Sequence, residues 1–211
     1  MESLSFCFFI IFTITFANAQ IMITNCTELQ MMQTGNASSP VNYILANDID
    51  CSTTVNFIPI GTLSNPFFGE IDGQGHSIYN LKINTSLYAG IIEYAGNCNI
   101  SNIVLKNCSI SSSSYSPYSS STGGLIANSN SGTTTIITIT NCSLQSCSIS
   151  SISNSTNPPS YSGGLIGNPN TAKIVITNCS VQNCSITSSS TSFCSSYSGG
   201  LIGSVHHSIS V

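Results

Sequence analysis

Charge is what this 211-residue chain has least of: Asp, Glu, Lys and Arg together make up 5 % of it, against roughly 25 % in an ordinary globular domain. Arg is absent, and Lys82, Lys106 and Lys173 are the only strong bases. Binding nucleic acid or an anionic membrane surface takes several cations to neutralise phosphates, so the composition excludes both as partners. Carboxylates are confined to one end: Glu2, Glu28, Asp48, Asp50, Glu70, Asp72 and Glu93, with none after residue 93. Glycosidase chemistry needs paired carboxylates on one surface, which residues 94–211 cannot supply alone. An apolar content of 41 % with a small net charge also argues against disorder.

What fills the chain instead is repetition. Tyr161-Ser162-Gly163-Gly164-Leu165-Ile166-Gly167 returns as Tyr197-Ser198-Gly199-Gly200-Leu201-Ile202-Gly203 and as Thr122-Gly123-Gly124-Leu125-Ile126-Ala127, and more faintly as Tyr88-Ala89-Gly90-Ile91-Ile92. Ahead of the later copies runs a second phrase: Asn107-Cys108-Ser109-Ile110, Asn141-Cys142-Ser143-Leu144 and Asn178-Cys179-Ser180-Val181. Two phrases in constant order at an interval of a few tens of residues mark a solenoid, in which each unit buries its apolar face against its neighbours. Stacked repeats place equivalent residues about 4.8 Å apart, where like charges repel, which accounts for the scarcity of charge.

The alternation in Ile174-Val175-Ile176-Thr177-Asn178 predicts short strands, with Ile174, Ile176 and Asn178 on the inner face. Matching phrase to phrase makes Asn107, Asn141 and Asn178 an inward ladder of amides. The serine-rich stretches 111–121, 150–160 and 187–198 are expected to be loops leaving the solenoid. Residues 1–19 carry a 13-residue apolar run, Leu4 to Phe16, and the cleavage pattern Ala17-Asn18-Ala19, and so are expected to be a secretory signal peptide. An uncleaved buried segment is the alternative, since the run lacks a basic flank. No later stretch is long and apolar enough to span a bilayer. Thr24 to Gln33 is expected to form a short helix covering the first coil.

The order Tyr43-x-Leu-x-x-Asp48-Ile49-Asp50, Pro59-Ile60-Gly61, Phe67-x-Gly69-x-x-Asp72-Gly73-x-Gly75-His76-x-Ile78-x-Asn80-Leu81-x-Ile83, followed by repeated Gly-Gly-Leu-Ile-Gly, resembles the GLUG-motif proteins. The resemblance spans residues 40 to 204. It implies an all-β chain folded as a right-handed parallel β-helix, and a secreted or cell-surface, adhesin-like role with a surface protein or glycan as partner. It implies no catalytic, cofactor-binding or metal-binding residues. The expected divisions are 1–19 signal peptide, 20–83 N-terminal cap and first coils, and 84–211 repeats whose last coil is open or truncated. An open last coil would associate end to end with another copy. The other reading is a carbohydrate-active β-helix protein. Gly73-Gln74-Gly75-His76 resembles a stretch of polygalacturonases, but the Arg and clustered Asp of such enzymes are missing from later coils.

Ten cysteines in a secreted chain favour disulfides. By phrase matching, Cys108, Cys142 and Cys179 are equivalent, and so are Cys147 and Cys184. Neighbouring coils lie within the α-carbon separation a disulfide accepts. Cys147 is therefore expected to bridge Cys184, with two of the other three paired, or else all five stand as a ladder of thiols. Cys-x4-Cys recurs without a second pair at ligand spacing, so zinc is not expected. Among the Asn-x-Ser/Thr patterns, the loop residues Asn36 and Asn154 are the expected glycosylation sites if the source is a eukaryote.

Overall fold

The computed structural model describes residues 20–36, 38–115, 118–130, 134–154, 159–190, 195–204 and the backbone of 209–210. The signal-peptide reading, Cys194 and His206-His207 lie outside these residues. The chain winds as a parallel β-helix whose strands stack into four sheets. Sheet I stacks Gln20–Ile23, Val41–Leu45, Phe67–Asp72, Ile92–Ser101, Ile136–Thr140, Lys173–Thr177 and Ile209–Ser210, and takes in Ile126–Ser129 and Ile166–Asn168 at its side. Sheet II stacks Ile49–Asp50, Ser77–Tyr79, Val104–Lys106, Ser143–Gln145 and Ser180–Gln182. Lys82–Thr85, Ser109–Ser114, Ser148–Ser153 and Ser185–Ser190 make sheet III. Tyr88–Ala89, Ser120–Gly123, Ser160–Gly163 and Ser196–Gly199 make sheet IV.

Register is held by apolar columns running up the inside. Tyr43, Ile71, Ile100, Ile139 and Ile176 face one another from coil to coil in sheet I, all buried. Ile49, Ile78, Leu105, Leu144 and Val181 do the same in sheet II. A one-residue slip would turn a whole column to solvent, which is why an alternating pattern repeated in five coils specifies one stacking. The helix Cys26–Gln30 covers the first coil, with Asn25 Oδ1 accepting from Glu28 N at 2.9 Å as its N-cap and Leu29 buried beneath it. The Cys26–Cys51 disulfide ties it to the corner after Ile49–Asp50; phrase matching singled out neither cysteine.

The Gly-Gly-Leu-Ile phrase is the turn from sheet IV back toward sheet I. A β-carbon on Gly163 would run into the carbonyl oxygen of Ile166, and one on Gly164 into that of Gly200 in the next coil. Both glycines are dictated by close backbone approach, while Leu165 and Ile166 drop into the core at 0 % exposure.

Three sequence expectations are corrected. The serine-rich stretches are largely strands, Ser109–Ser114, Ser148–Ser153 and Ser185–Ser190 among them. Their inward serines line a polar seam between sheets III and IV: Ser112 Oγ lies 2.7 Å from Thr122 Oγ1, and Ser162 Oγ donates to Ser151 Oγ at 2.9 Å. Pairing hydroxyl with hydroxyl lets serine replace an apolar core residue there. Second, Asn107, Asn141 and Asn178 do not face inward. They are exposed and sit at corners with φ of 53°, a left-handed conformation that asparagine tolerates better than most residues.

Third, the phrase matching placed Asn107 and Cys108 one corner out of register, while its matches of Asn141 with Asn178, Cys142 with Cys179 and Cys147 with Cys184 hold. The strand Ile136–Thr140 stacks on Cys98–Ser101, so Asn141 follows Asn102, and Asn178 follows Asn141. Asn107 belongs to the next corner, with Asn80, Ser146 and Asn183. Cys108 accordingly stacks with Cys147 and Cys184, whereas Cys142 stacks with Cys179 beneath Ile103. The cause is that each coil turns two similar corners five residues apart, so the phrase Asn-Cys-Ser fits either one.

Candidate functional site

The outer face of sheet I carries the most site-like concavity. A cleft of about 440 Å³ opens between Asn36 and Pro40 on one side and the stacked strands on the other, where Asn42, Phe68, Glu70, Asn97, Asn99 and Ile136 line it. Alternation within Phe67–Asp72 sends Phe67 and Ile71 into the core and leaves Phe68 and Glu70 half-buried on the outside. A register irregularity between Phe67 and Gly69 re-aims Phe68, whose N–H is held by Thr34 O at 2.7 Å. Its ring rests on Gly96, where a β-carbon would collide with it.

The floor of the cleft is polar. Asn97 Oδ1 accepts from Ile136 N at 2.8 Å, and Asn36 Oδ1 accepts from the Ser38 and Ser39 N–H groups at 2.9 Å, so both are structural. The side chains of Asn42, Glu70 and Asn99 make no hydrogen bond among the described residues, leaving two amides and a carboxylate beside the Phe68 ring and the 47 % exposed Ile136. An aromatic face with a few convergent polar groups is the usual make-up of a small-ligand site.

The other candidate acids are committed to the corners of the coil. Asp72 Oδ1 accepts from Asn102 Nδ2 at 2.9 Å and from Gln74 N at 2.9 Å, and Gln74 Nε2 also donates to this carboxylate. Partial burial works against its charge, but the hydrogen bonds from Asn102, Gln74 and Ser101 outweigh it and lower its pKa. Asp48 is lowered chiefly by the Ser77 N–H at 2.8 Å, with His76 3.3 Å away. Asp50 is lowered chiefly by the Asn80 side chain at 3.0 Å, then by the Ser52 N–H. The Asp72 corner extends outward as a ladder, because Asn102 Oδ1 in turn accepts from Asn141 Nδ2 at 3.1 Å.

With fold and cleft described, the chain can be set beside known proteins. No family model matches it. An alignment 108 positions long, covering 46 % of the chain, is 33 % identical to part of halomucin from Haloquadratum walsbyi and spans 1 % of that protein's length. A crystal structure titled "putative immunoglobulin A1 protease" from Bacteroides ovatus superposes with a TM-score of 0.51 at 15 % identity, covering 77 % of this chain and 74 % of that one. At that identity the likeness is one of fold, and it agrees with the parallel β-helix seen here.

The remaining sequence candidates fall as follows. Cys108, Cys142, Cys147, Cys179 and Cys184 are free thiols in two inner columns, as is buried Cys98. Asn36 is exposed at the rim of the cleft, and Asn154 stands at the end of a sheet III strand, its N–H donating to Ser114 O at 2.7 Å. Among the described residues no three His, Cys, Asp or Glu side chains converge as a metal group, and no helix is long and apolar enough to cross a membrane. Sequence reasoning singled out Glu70 but missed Phe68, Asn42 and Asn99. Their only signal was membership of the outward set in alternating strands from three different coils.

Proposed function

We propose that this is a secreted or cell-surface interaction protein of the GLUG-motif, adhesin-like kind, and that it binds a glycan in the cleft on sheet I. The observation that carries the reading is the Phe68 ring, seated on Gly96 and flanked by the side chains of Asn42, Glu70 and Asn99, which make no hydrogen bond among the described residues. A sugar ring presents an apolar face that stacks on an aromatic and a rim of hydroxyls that pair with amides and carboxylates. The Cys26–Cys51 disulfide supports an oxidising, extracellular location. Binding is favoured over cleavage because Glu70 is the one carboxylate lining the cleft, whereas glycoside hydrolysis uses two. Asp72, on the same strand, is already engaged by Asn102 and Gln74.

The test is a glycan array probed with the secreted, disulfide-intact protein, followed by titration calorimetry on any hit. Phe68→Ala is expected to weaken binding at least about tenfold, as loss of a central aromatic anchor does. The exposed-face variants Asn42→Ala and Asn99→Ala should each weaken it with the fold intact. No glycan bound, or a bound glycan indifferent to all three changes, would overturn the reading. Release of reducing sugar from a bound polysaccharide would convert it into the carbohydrate-active alternative.

A further inference from the structure

Three cysteines stand one above another at the corner before sheet III. The pairings Ser109 with Ser148 and Ser148 with Ser185 place Cys108, Cys147 and Cys184 in register on consecutive coils. Each sulfur leans along the stack: Cys108 N donates to Cys147 Sγ at 3.4 Å, and Cys147 N donates to Cys184 Sγ at 3.3 Å. Neighbouring α-carbons at the inter-strand spacing of about 4.8 Å lie inside the range a disulfide accepts, while the outer two, about 10 Å apart, do not. Cys108 and Cys147 are buried at 2 % exposure, and Cys184 is partly accessible.

We infer that this column holds one disulfide that exchanges between Cys108–Cys147 and Cys147–Cys184, with Cys184, the most accessible of the three thiols, taking up the oxidising disulfide. Thiol–disulfide exchange needs the attacking, central and departing sulfurs in a line, and a stack of three supplies that line with Cys147 in the middle. Oxidation starts at Cys184, the least buried of the three. The Cys184 thiolate attacks one sulfur of a small disulfide such as oxidised glutathione, forming a mixed disulfide and releasing one glutathione thiol. Cys147 then attacks Cys184 Sγ, closes the Cys147–Cys184 bond and releases the second glutathione. Two protein thiols are oxidised as one glutathione disulfide is reduced. Attack of Cys108 on Cys147 Sγ moves the bond inward without net oxidation and returns Cys184 as a thiol.

The electrostatics single out Cys147 as the readiest nucleophile of the column, while burial raises the Cys184 thiol and makes its attack on the small disulfide the slow step. Hydrogen bonding from the Cys108 thiol, reinforced by the Cys108 N–H against the cost of burial, draws the Cys147 thiol down to about 7. The same thiol pair, together with burial, pushes Cys108 up. The neighbouring Cys142–Cys179 column has two sulfurs under Ile103 and so can close a single stationary bond.

The experiment uses the secreted chain equilibrated with oxidised glutathione, quenched with acid, alkylated and mapped without reduction. The Cys26–Cys51 link serves as the internal control for folding and oxidation. Both the Cys108–Cys147 and the Cys147–Cys184 peptides are expected in one sample, with free Cys184 and free Cys108 in matching shares. In Cys147→Ser, neither link should form, and glutathione should be found on Cys184 and not on Cys108. Three alkylated thiols, a single pair to the exclusion of the other, or a Cys108–Cys184 link would each overturn the inference. The map of the unsubstituted chain decides it alone if the variant does not fold.

Discussion

Asn141 shows how much one residue does in this fold. It adopts φ of 53°, donates its N–H to Thr177 O at 2.9 Å, and donates from its side chain to Asn102 Oδ1 at 3.1 Å. Ala at this position keeps neither the ladder nor an easy left-handed backbone, so Asn141→Ala should cost about 1–2 kcal/mol. Asn141→Gly keeps the backbone freedom and loses the ladder, and should cost less. Urea denaturation of the two variants checks the order, and equal losses would mean the ladder, not the backbone, dominates. The inward neighbour explains the choice of cysteine after the later corners. Cys142 Sγ lies 3.3 Å from Thr140 O and 3.7 Å from Ile100 O, a small apolar side chain that also satisfies a carbonyl at a tight bend.

At the scale of the element, the helix Cys26–Gln30 has five residues, too few to be stable alone. It persists because Cys26 and Leu29 sit in the core, because Glu28 accepts from Thr24 N at 2.7 Å, and because Cys26 is bonded to Cys51 across a separation of 25 residues. A loop of that length contributes about 3 kcal/mol through the entropy removed from the unfolded chain. Cys51→Ser, or reduction of this bond, should therefore lower stability by about that amount. Hydrogen exchange should quicken first in the strands Gln20–Ile23 and Val41–Leu45. Unchanged protection there would mean the core alone holds the cap.

On the scale of the whole molecule, charge is distributed lopsidedly along the stack. The carboxyls whose pKa is lowered by folding are Glu28, through the Thr24 N–H, and the corner residues Asp48, Asp50 and Asp72. A carboxyl lowered on folding adds stability above its unfolded value, about 4, and that stability is lost as pH falls through the folded value. Glu93 has the opposite sign: half-buried, it is raised by desolvation, so its contribution improves as pH falls toward its unfolded value. Since no acid follows residue 93, acid should loosen the first coils below about pH 4 and leave the coils beyond residue 100 intact. Hydrogen exchange at pH 3 and pH 6 tests this, and uniform loosening along the chain would contradict it. Glu93→Gln should raise the melting temperature at pH 7, with the gain disappearing in acid.

Taken alone, the sequence determined that the chain stacks: the two recurring phrases, the alternation and the missing charge require in-register coils. It also confined every acid to the N-terminal coils. The register of the corners came from the tertiary structure. Asn-Cys-Ser fits two bends per coil, and only the strand pairing tells Asn107 from Asn102 as the partner of Asn141. The inward place of the serines was decided the same way, since a hydroxyl is tolerated in a core when another sheet brings its partner, as Thr122 is brought to Ser112. The cleft lay furthest from the sequence. Phe68, Asn42 and Asn99 are set on separate coils, and they meet because coils 28 or 29 residues apart in the chain lie about 4.8 Å apart in space.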